Sequence, residues 1–198
     1  GLTIDLKSIN VSGNFDIANV KGLVRTNTGS GNIDIENFEG EFKGNTGSGN
    51  PDIRDFTGEI VVNCGSGNID IKNANAEVNA NVGSGSIDVD DFILAGESGF
   101  NSGSGNVTVG LGATPAHDLS INSGSGSATL DRNNHDLNAD IIMTASKKSG
   151  KIQAPYTFDS EDEIDEGDYI KIRKTVSVGS GNKVKISIGT GSGTARIT

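Results

Sequence analysis

Five aspartates recur at an interval of 18 residues, each inside a short apolar phrase such as GSGNIDI at 29–35. Carboxylates are oxygen ligands that suit Ca²⁺, and carboxylates stacked about 4.8 Å apart repel one another unless a cation relieves them. The calcium-binding β-roll repeat places its aspartate one position earlier, in the turn, whereas here it falls on the outer face of a strand. We therefore predict a solubilising acidic stripe, with weak calcium binding as the alternative, formed by Asp16, Asp34, Asp52, Asp70 and Asp88.

The other side chains with catalytic potential are isolated from one another. His117 and His135 each precede an aspartate, as in a hydrolytic dyad, but adjacent residues of a strand point to opposite sides. We therefore predict that both histidines lie in surface loops. Cys64 falls in an inward-facing column, which predicts a buried thiol, and a single cysteine excludes an internal disulfide. No catalytic residue, no cofactor and no enzymatic activity are predicted.

The aspartates belong to a repeat that covers most of the chain. The second glycine of each phrase stands at Gly13, Gly31, Gly49, Gly67, Gly85, Gly105 and Gly126, at steps of 18, 18, 18, 18, 20 and 21 residues. A constant period with short late insertions is typical of a solenoid, in which each unit stacks on the last. In each unit the apolar residues alternate, as in Ile33 and Ile35, which is the signal of a strand with one buried face.

These patterns predict an all-β fold, a single-stranded right-handed parallel β-solenoid (β-helix) of about seven coils of 18–21 residues with a C-terminal β cap. Glycine and asparagine tolerate left-handed backbone, so the GSGN phrases with Gly31, Gly49, Gly67 and Gly85 are predicted to form tight corners. Side-chain amides stacked from coil to coil can hydrogen-bond along the axis. We predict such a ladder for Asn27, Asn45, Asn63, Asn81, Asn101 and Asn122.

The ends of the chain depart from the repeat, and we predict one domain over 1–198 with a cap at each end. Residues 1–11 are expected to form an irregular first coil, 12–130 the repeats, and 131–198 an irregular coil and the C-terminal cap. The acidic run DSEDEIDEGD (159–168) predicts a solvated or mobile loop. The phrase GSGN returns at 179–182, so the last strands are expected to rejoin the stack as a closing cap.

The overall charge limits the possible partners. The formal net charge is −10, which repels a phosphate backbone, so nucleic acid is not an expected partner. No apolar run approaches the roughly 18 residues of a membrane helix, and no signal peptide is recognised. The first residue is Gly rather than Met, from which we expect that an N-terminal export signal has been removed.

The unit xGxFxxNTGSGNIDIxxF resembles a bacterial family of adhesin-like proteins built from short β-strand repeats, the toastrack-like domains. The turns at 29–35, 47–53, 65–71 and 83–89 carry the resemblance, and GSGNVTV (103–109) and GSGSATL (124–130) continue it. The resemblance implies a β-solenoid that is exported or attached to the cell envelope, with no established enzymatic activity. It offers no functional residues to carry over.

Two functions follow from these observations. The first is a non-enzymatic cell-envelope, periplasmic or surface protein, either an adhesin-like binding module or a structural scaffold, whose partner is an extracellular glycan or protein. The alternative is a carbohydrate-active β-helix enzyme that acts on an extended polysaccharide. That chemistry needs two carboxylates facing each other about 5–10 Å apart, whereas the aspartates of the repeat are expected to form a line.

Overall fold

In the computed structural model, which describes residues 2–167 and 169–198, sixteen strands join into one sheet around a continuous apolar core. The first five strands are β1 (Leu2–Ser12), β2 (Phe15–Ser30), β3 (Ile33–Ser48), β4 (Pro51–Ser66) and β5 (Ile69–Ser84). Loops divide the next coils into β6 (Ile87–Leu94), β7 (Ser98–Ser102), β8 (Val107–Leu111), β9 (Leu119–Ser123) and β10 (Ala128–Asp131). The rest comprises β11 (Ala139–Ser146), β12 (Lys151–Gln153), β13 (Ser160–Asp165), β14 (Ile170–Val178), β15 (Val184–Thr190) and β16 (Thr194–Ile197).

Successive coils pair in parallel with a constant register. Along β2 and β3 each residue lies beside the residue 18 positions later, as Phe15 beside Ile33 and Asn27 beside Asn45, and the same offset joins β3 to β4 and β4 to β5. The predicted all-β solenoid of about seven turns is thereby confirmed, whereas its hand stays a prediction. Within the described residues no helix is long and apolar enough to cross a membrane.

Each coil bends at three corners, and the backbone at each corner explains which side chains are buried. Asn37 is left-handed with φ 50°, Gly40 has φ 140° and Gly31 has φ 147°. A left-handed residue interrupts the pleat, so residues 36 and 37 are both exposed before burial resumes at Phe38. The buried positions of this coil are Ile33, Ile35, Phe38, Phe42, Gly44 and Thr46.

The core is made of identical or similar side chains stacked along the axis. Phe38 lies on Phe56 with ring centroids 5.2 Å apart and planes inclined by 16°. Ile35, Ile53 and Ile71 follow one another in register and are at most 2% exposed. Each such side chain contributes about 1.5–3 kcal/mol through removal of its apolar surface from water.

The coils approach most closely where corner glycines stack. A Cβ added to Gly49 would lie 2.0 Å from the carbonyl oxygen of Gly31, and one added to Gly67 would lie 2.0 Å from that of Gly49. A second corner repeats this contact, because a Cβ on Gly40 would lie 2.0 Å from the carbonyl oxygen of Gly22. No side chain fits at these positions, so glycine is required there by the stacking itself.

A column of buried hydroxyl and thiol groups closes most of the coils on themselves, and Val82 stands in this column in the coil that lacks such a donor. Thr46 Oγ1 donates to the carbonyl oxygen of Gly31 at 3.2 Å, and Ser123 Oγ donates to that of Gly105 at 2.7 Å. The donor is 15 residues after its acceptor in the early coils, so it joins the end of the coil to its starting corner. This role was not predicted from the sequence.

The first coil is regular rather than irregular. β1 pairs with β2 at the same offset of 18 residues from Leu2 beside Val20 to Ser12 beside Ser30. Within the described residues β1 is the end of the stack. It carries two of the exposed large apolar side chains, Leu6 and Ile9, which are 37% and 71% exposed.

The C-terminal strands lie inside the stack rather than at its end, which corrects the predicted closing cap. β15 pairs with β9 on one side and with β11 on the other, both in parallel. β16 likewise lies between β10 and β12. The chain therefore skips one coil after β10, forms the next one with β11 and β12, and returns to fill the space between them.

The sequence motif that stacks the last strands on the solenoid is not GSGN at 179–182, as predicted, but one ten residues later. A Cβ on Gly193 would lie 2.3 Å from the carbonyl oxygen of Gly126, so the stacked corner is in GTGSG (189–193). GSGN at 179–182 is instead the exposed turn between β14 and β15.

The acidic run contains a strand rather than only a loop. β13 pairs antiparallel with β14, which itself pairs antiparallel with β11. Ion pairs join the two strands, with Lys174 Nζ 2.9 Å from Glu161 and Arg173 Nη2 3.2 Å from Asp162. The basic residues of β14 thus compensate the charge that predicted a solvated loop, while Asp168 lies outside the described residues.

We predict that Gly49→Ala destabilises the protein by about 2–3 kcal/mol, because its Cβ meets a backbone oxygen that cannot move aside alone. Urea unfolding measures the change. Gly99→Ala is the control, since a Cβ there meets its nearest heavy atom at 4.0 Å. Equal stabilities of the two variants would contradict the steric requirement.

We also predict that amides of β15 exchange with solvent more slowly than those of β13, by about tenfold or more, because β15 is paired on both sides. Hydrogen–deuterium exchange followed by mass spectrometry of the two segments tests this order. Rapid exchange throughout β15 would mean that the last strands do not occupy an internal position.

Candidate functional site

The five aspartates form one straight column on the outer face of the solenoid. Asp16, Asp34, Asp52, Asp70 and Asp88 are paired in register from β2 to β6, and Thr108 and Thr129 continue the column. The column faces outward because the residues on both sides of each aspartate, such as Ile33 and Ile35, point into the core. We call these five aspartates the acidic stripe.

Desolvation and mutual repulsion raise the pKa of two carboxyl groups of the acidic stripe. The pKa of Asp34 is raised, first by partial desolvation between the adjacent coils, then by a hydrogen bond with Asp16 and by the negative charges of Asp16 and Asp52. Desolvation and the charges of Asp88 and Asp52 raise the pKa of Asp70. Arg54 opposes both shifts and forms an ion pair with Asp52.

A shallow groove of about 270 Å³ runs beside the lower part of the acidic stripe, between Asp16 and Arg54. It is lined by charged groups of both signs and by the edges of the core isoleucines Ile17 and Ile35. Three carboxylates of the acidic stripe line the groove, and they follow one another in register from coil to coil: Asp16, Asp34 and Asp52.

The acidic stripe does not form a multidentate calcium cage. Within residues 2–167 and 169–198 no three His, Cys, Asp or Glu side chains are arranged to hold a metal ion. Ca²⁺ takes six to eight oxygen ligands, whereas a cation between two stacked aspartates of a single column meets only its immediate neighbours. Among the described residues, the acidic stripe therefore lacks the usual geometry of a calcium site, which the alternative of weak calcium binding would use.

The asparagine column forms hydrogen bonds along the axis on a different face. Asn63 Nδ2 donates to Asn45 Oδ1 at 2.9 Å, and Asn81 Nδ2 donates to Asn63 Oδ1 at 3.1 Å. The ladder continues through Asn101 to Asn122 with distances of 3.0 and 3.1 Å. Asn27 lies beside Asn45 in register, but no hydrogen bond joins these two side chains in the described structure.

Two further polar columns support the corners. At the GSGN corner the side-chain oxygen of each asparagine accepts a backbone N–H of the next coil, as from Asn50 N to Asn32 Oδ1 at 2.9 Å. At the left-handed corner Asn37 Nδ2 donates to Asn19 Oδ1 at 2.8 Å. This last column was not predicted from the sequence, although its signal is present as Asn or Asp at an interval of 18 residues: Asn19, Asn37, Asp55, Asn73 and Asp91.

The histidines and the cysteine lie far apart in the fold. His117 is exposed beside a cavity of about 600 Å³, and the N–H of His135 donates to the carbonyl oxygen of Arg132 at 2.7 Å in a separate turn. Cys64 is buried, its thiol donates to the carbonyl oxygen of Gly49 at 3.2 Å, and burial raises its pKa. It belongs to the column of coil-closing donors.

We predict that Asp34→Asn stabilises the protein at pH 7, raising Tm by about 1–2 °C, because it removes repulsion within the acidic stripe. The pKa of Asp34 is raised in the folded state, so the protonated form of Asp34 favours folding. This stabilisation is complete below the pKa of the unfolded chain, about 3.9, and is lost as the pH rises through the folded-state pKa. Thermal unfolding at pH 3 and pH 7 measures the effect, which should vanish at pH 3. Asp136→Asn removes a charge outside the stripe as the control; a gain equal to that of Asp34→Asn, or one that persists at pH 3, would contradict the interpretation.

Comparison with known proteins agrees with this architecture. The model of the family described as Toastrack DUF4097 matches residues 3–162, which is most of the chain. Neither the curated proteins nor the solved structures contain a match. With the repeat, the stacked coils and the family match together, this chain belongs to the Toastrack DUF4097 family.

Proposed function

We propose that this protein is a non-enzymatic component of the cell envelope or cell surface that serves as an adhesin-like binding module or a structural scaffold. Its partner in this proposal is an extended extracellular glycan or protein, and nucleic acid is disfavoured by the net charge of −10. Export to the envelope, the periplasm or the surface is part of the proposal.

The observation that carries the proposal is the arrangement of polar side chains in lines along the solenoid. The acidic stripe repeats one carboxylate per coil through five coils in constant register. Such a line matches an extended partner that repeats along its own length, whereas a compact substrate needs groups that converge on one point.

Rigidity supports the same role. The stacked glycine corners allow no side chain between coils, and the asparagine ladder ties each coil to the next from Asn45 to Asn122. A rod held in this way presents its outer faces without a large loss of conformational freedom on binding. Both a scaffold and a binding module benefit from that property.

One observation favours the enzyme alternative. A raised carboxyl pKa is what a general acid needs, and Asp34 has one beside two further carboxylates, Asp16 and Asp52. These three residues follow one another on a single sheet face, however, and hydrolysis of a glycosidic bond uses carboxylates on opposite sides of the substrate. The geometry therefore favours binding over cleavage.

Fractionation and binding assays test the proposal together. We expect the tagged full-length protein in the envelope or extracellular fraction, and the purified domain to be retained by one or more members of a panel of immobilised polysaccharides and extracellular-matrix proteins. Release of new reducing ends from the same polysaccharides is measured in parallel and is expected to stay at the level of the buffer control.

Two outcomes would overturn it. Reducing ends that appear with the protein and are lost in Asp34→Asn would establish the enzyme alternative. A full-length protein confined to the cytoplasm and retained by no member of the panel would exclude an envelope binding role.

A further inference from the structure

We propose that a cleft near the C-terminal end of the solenoid, on the face of the asparagine ladder, binds a neutral oligosaccharide. The cleft has a volume of about 530 Å³ and is lined by residues of the returning strand β15, of β11 and of the start of β14. The inference rests on the proposed binding role and names a site and a ligand class for it. The site is separate from the acidic stripe, none of whose residues line the cleft.

The floor of the cleft is the end of the asparagine ladder. Asn122 donates through Nδ2 to Asn101 Oδ1 at 3.1 Å, and the residue beside Asn122 in the next coil is Gly189 rather than another asparagine. Asn122 Oδ1 accepts no hydrogen bond from any residue of 2–167 or 169–198. Because linked amides polarise one another, this terminal oxygen is a strong acceptor for a ligand hydroxyl.

Two oxygen atoms of the cleft floor approach Gly189 closely, because this residue has no side chain. A Cβ at this position would lie 2.7 Å from Asn122 Oδ1 and 2.9 Å from Thr144 Oγ1. The absence of a side chain in this coil therefore brings an amide acceptor and a hydroxyl group to the same point of the cleft floor.

Hydroxyl groups surround that floor. Thr144, Ser146, Ser149 and Ser192 line the cleft, and Ser149 Oγ donates to Ser146 Oγ at 3.1 Å. A hydroxyl group can both donate and accept, which suits a ligand that is itself rich in hydroxyl groups.

An aromatic ring forms one wall of the cleft. Tyr169 lines it and is 48% exposed, and Lys171 Nζ lies 5.3 Å from the centre of the ring. Glu166 contacts both residues. Lys171 Nζ lies 3.0 Å from its carboxylate, and the backbone N–H of Glu166 donates to the carbonyl oxygen of Tyr169 at 3.1 Å.

These groups together select a neutral sugar. A volume of this size accepts a ligand of one or two rings, and an amide, several hydroxyls and one exposed aromatic ring match the hydroxyl edges and apolar C–H face of a pyranose. An anionic ligand is disfavoured because Lys171, the one cation among the described residues that line the cleft, is already paired with Glu166.

The test uses the whole chain and a panel of neutral oligosaccharides of three to six units: α- and β-glucans, a mannan, a galactan and chitooligosaccharides. Calorimetric titration measures Kd for the native protein, Tyr169→Ala and Thr144→Val. We expect at least one member of the panel to bind, with affinity about tenfold lower in Tyr169→Ala and about threefold lower in Thr144→Val. Thr129→Val makes the same change on an outward residue of β10, outside the cleft, and should bind like the native protein.

Thermal unfolding of each variant checks that the fold is retained. We expect it to be, because Tyr169 is exposed and Thr144 makes no side-chain hydrogen bond within the described residues. Binding that is unchanged in Tyr169→Ala and Thr144→Val would overturn the cleft but leave the proposed function intact. Failure of every neutral oligosaccharide while a matrix protein or an acidic polysaccharide is retained would overturn the ligand class alone. Failure of all partners would overturn both proposals.

Discussion

The contact between a glycine Cα of one coil and the carbonyl oxygen of a glycine below it is the constraint on which the whole structure depends. At the GSGN corner a Cβ would meet that oxygen at 2.0–2.3 Å in every coil from Gly31 to Gly193. Because the approach leaves no room for slippage at the corner, each coil must return to the same place. The interval of 18 residues follows, and the extra residues of later coils are accommodated between β6 and β7 and between β8 and β9, away from that corner.

Fixed register places each side chain on its counterpart, and the chemistry of the residue decides whether this is favourable. Isoleucine and phenylalanine columns exclude water, and asparagine columns satisfy their own amides from coil to coil. Aspartate columns do the opposite, because desolvation between the coils and the like charges of the neighbouring aspartates raise the pKa of Asp34 and Asp70. The acidic stripe is thus a regular column of five like charges whose self-stacking opposes the fold, and a role outside stability is the better explanation for it.

The same register also produces the cleft. The returning strand β15 continues the stack on β9, but it presents Gly189 where the coils below present asparagine. Strand β11 and the chain at the start of β14 then bring Thr144, Tyr169 and Lys171 to the same cleft as Gly189. A break in a periodic column, rather than a motif, therefore marks the place where these polar groups meet.

The sequence by itself determined the all-β solenoid, its period, the inward residues, and the columns of aspartate and asparagine, because a strictly repeated unit stacks on itself and local residue types fix the corners. It also predicted surface loops for His117 and His135 and a buried thiol for Cys64. Only the tertiary structure decided the order of the last coils, the strand in the acidic run and the cleft at Gly189. These depend on pairings between residues far apart in the chain, such as β11 with β15 and β13 with β14, and no local periodicity records which distant strand fills an open edge.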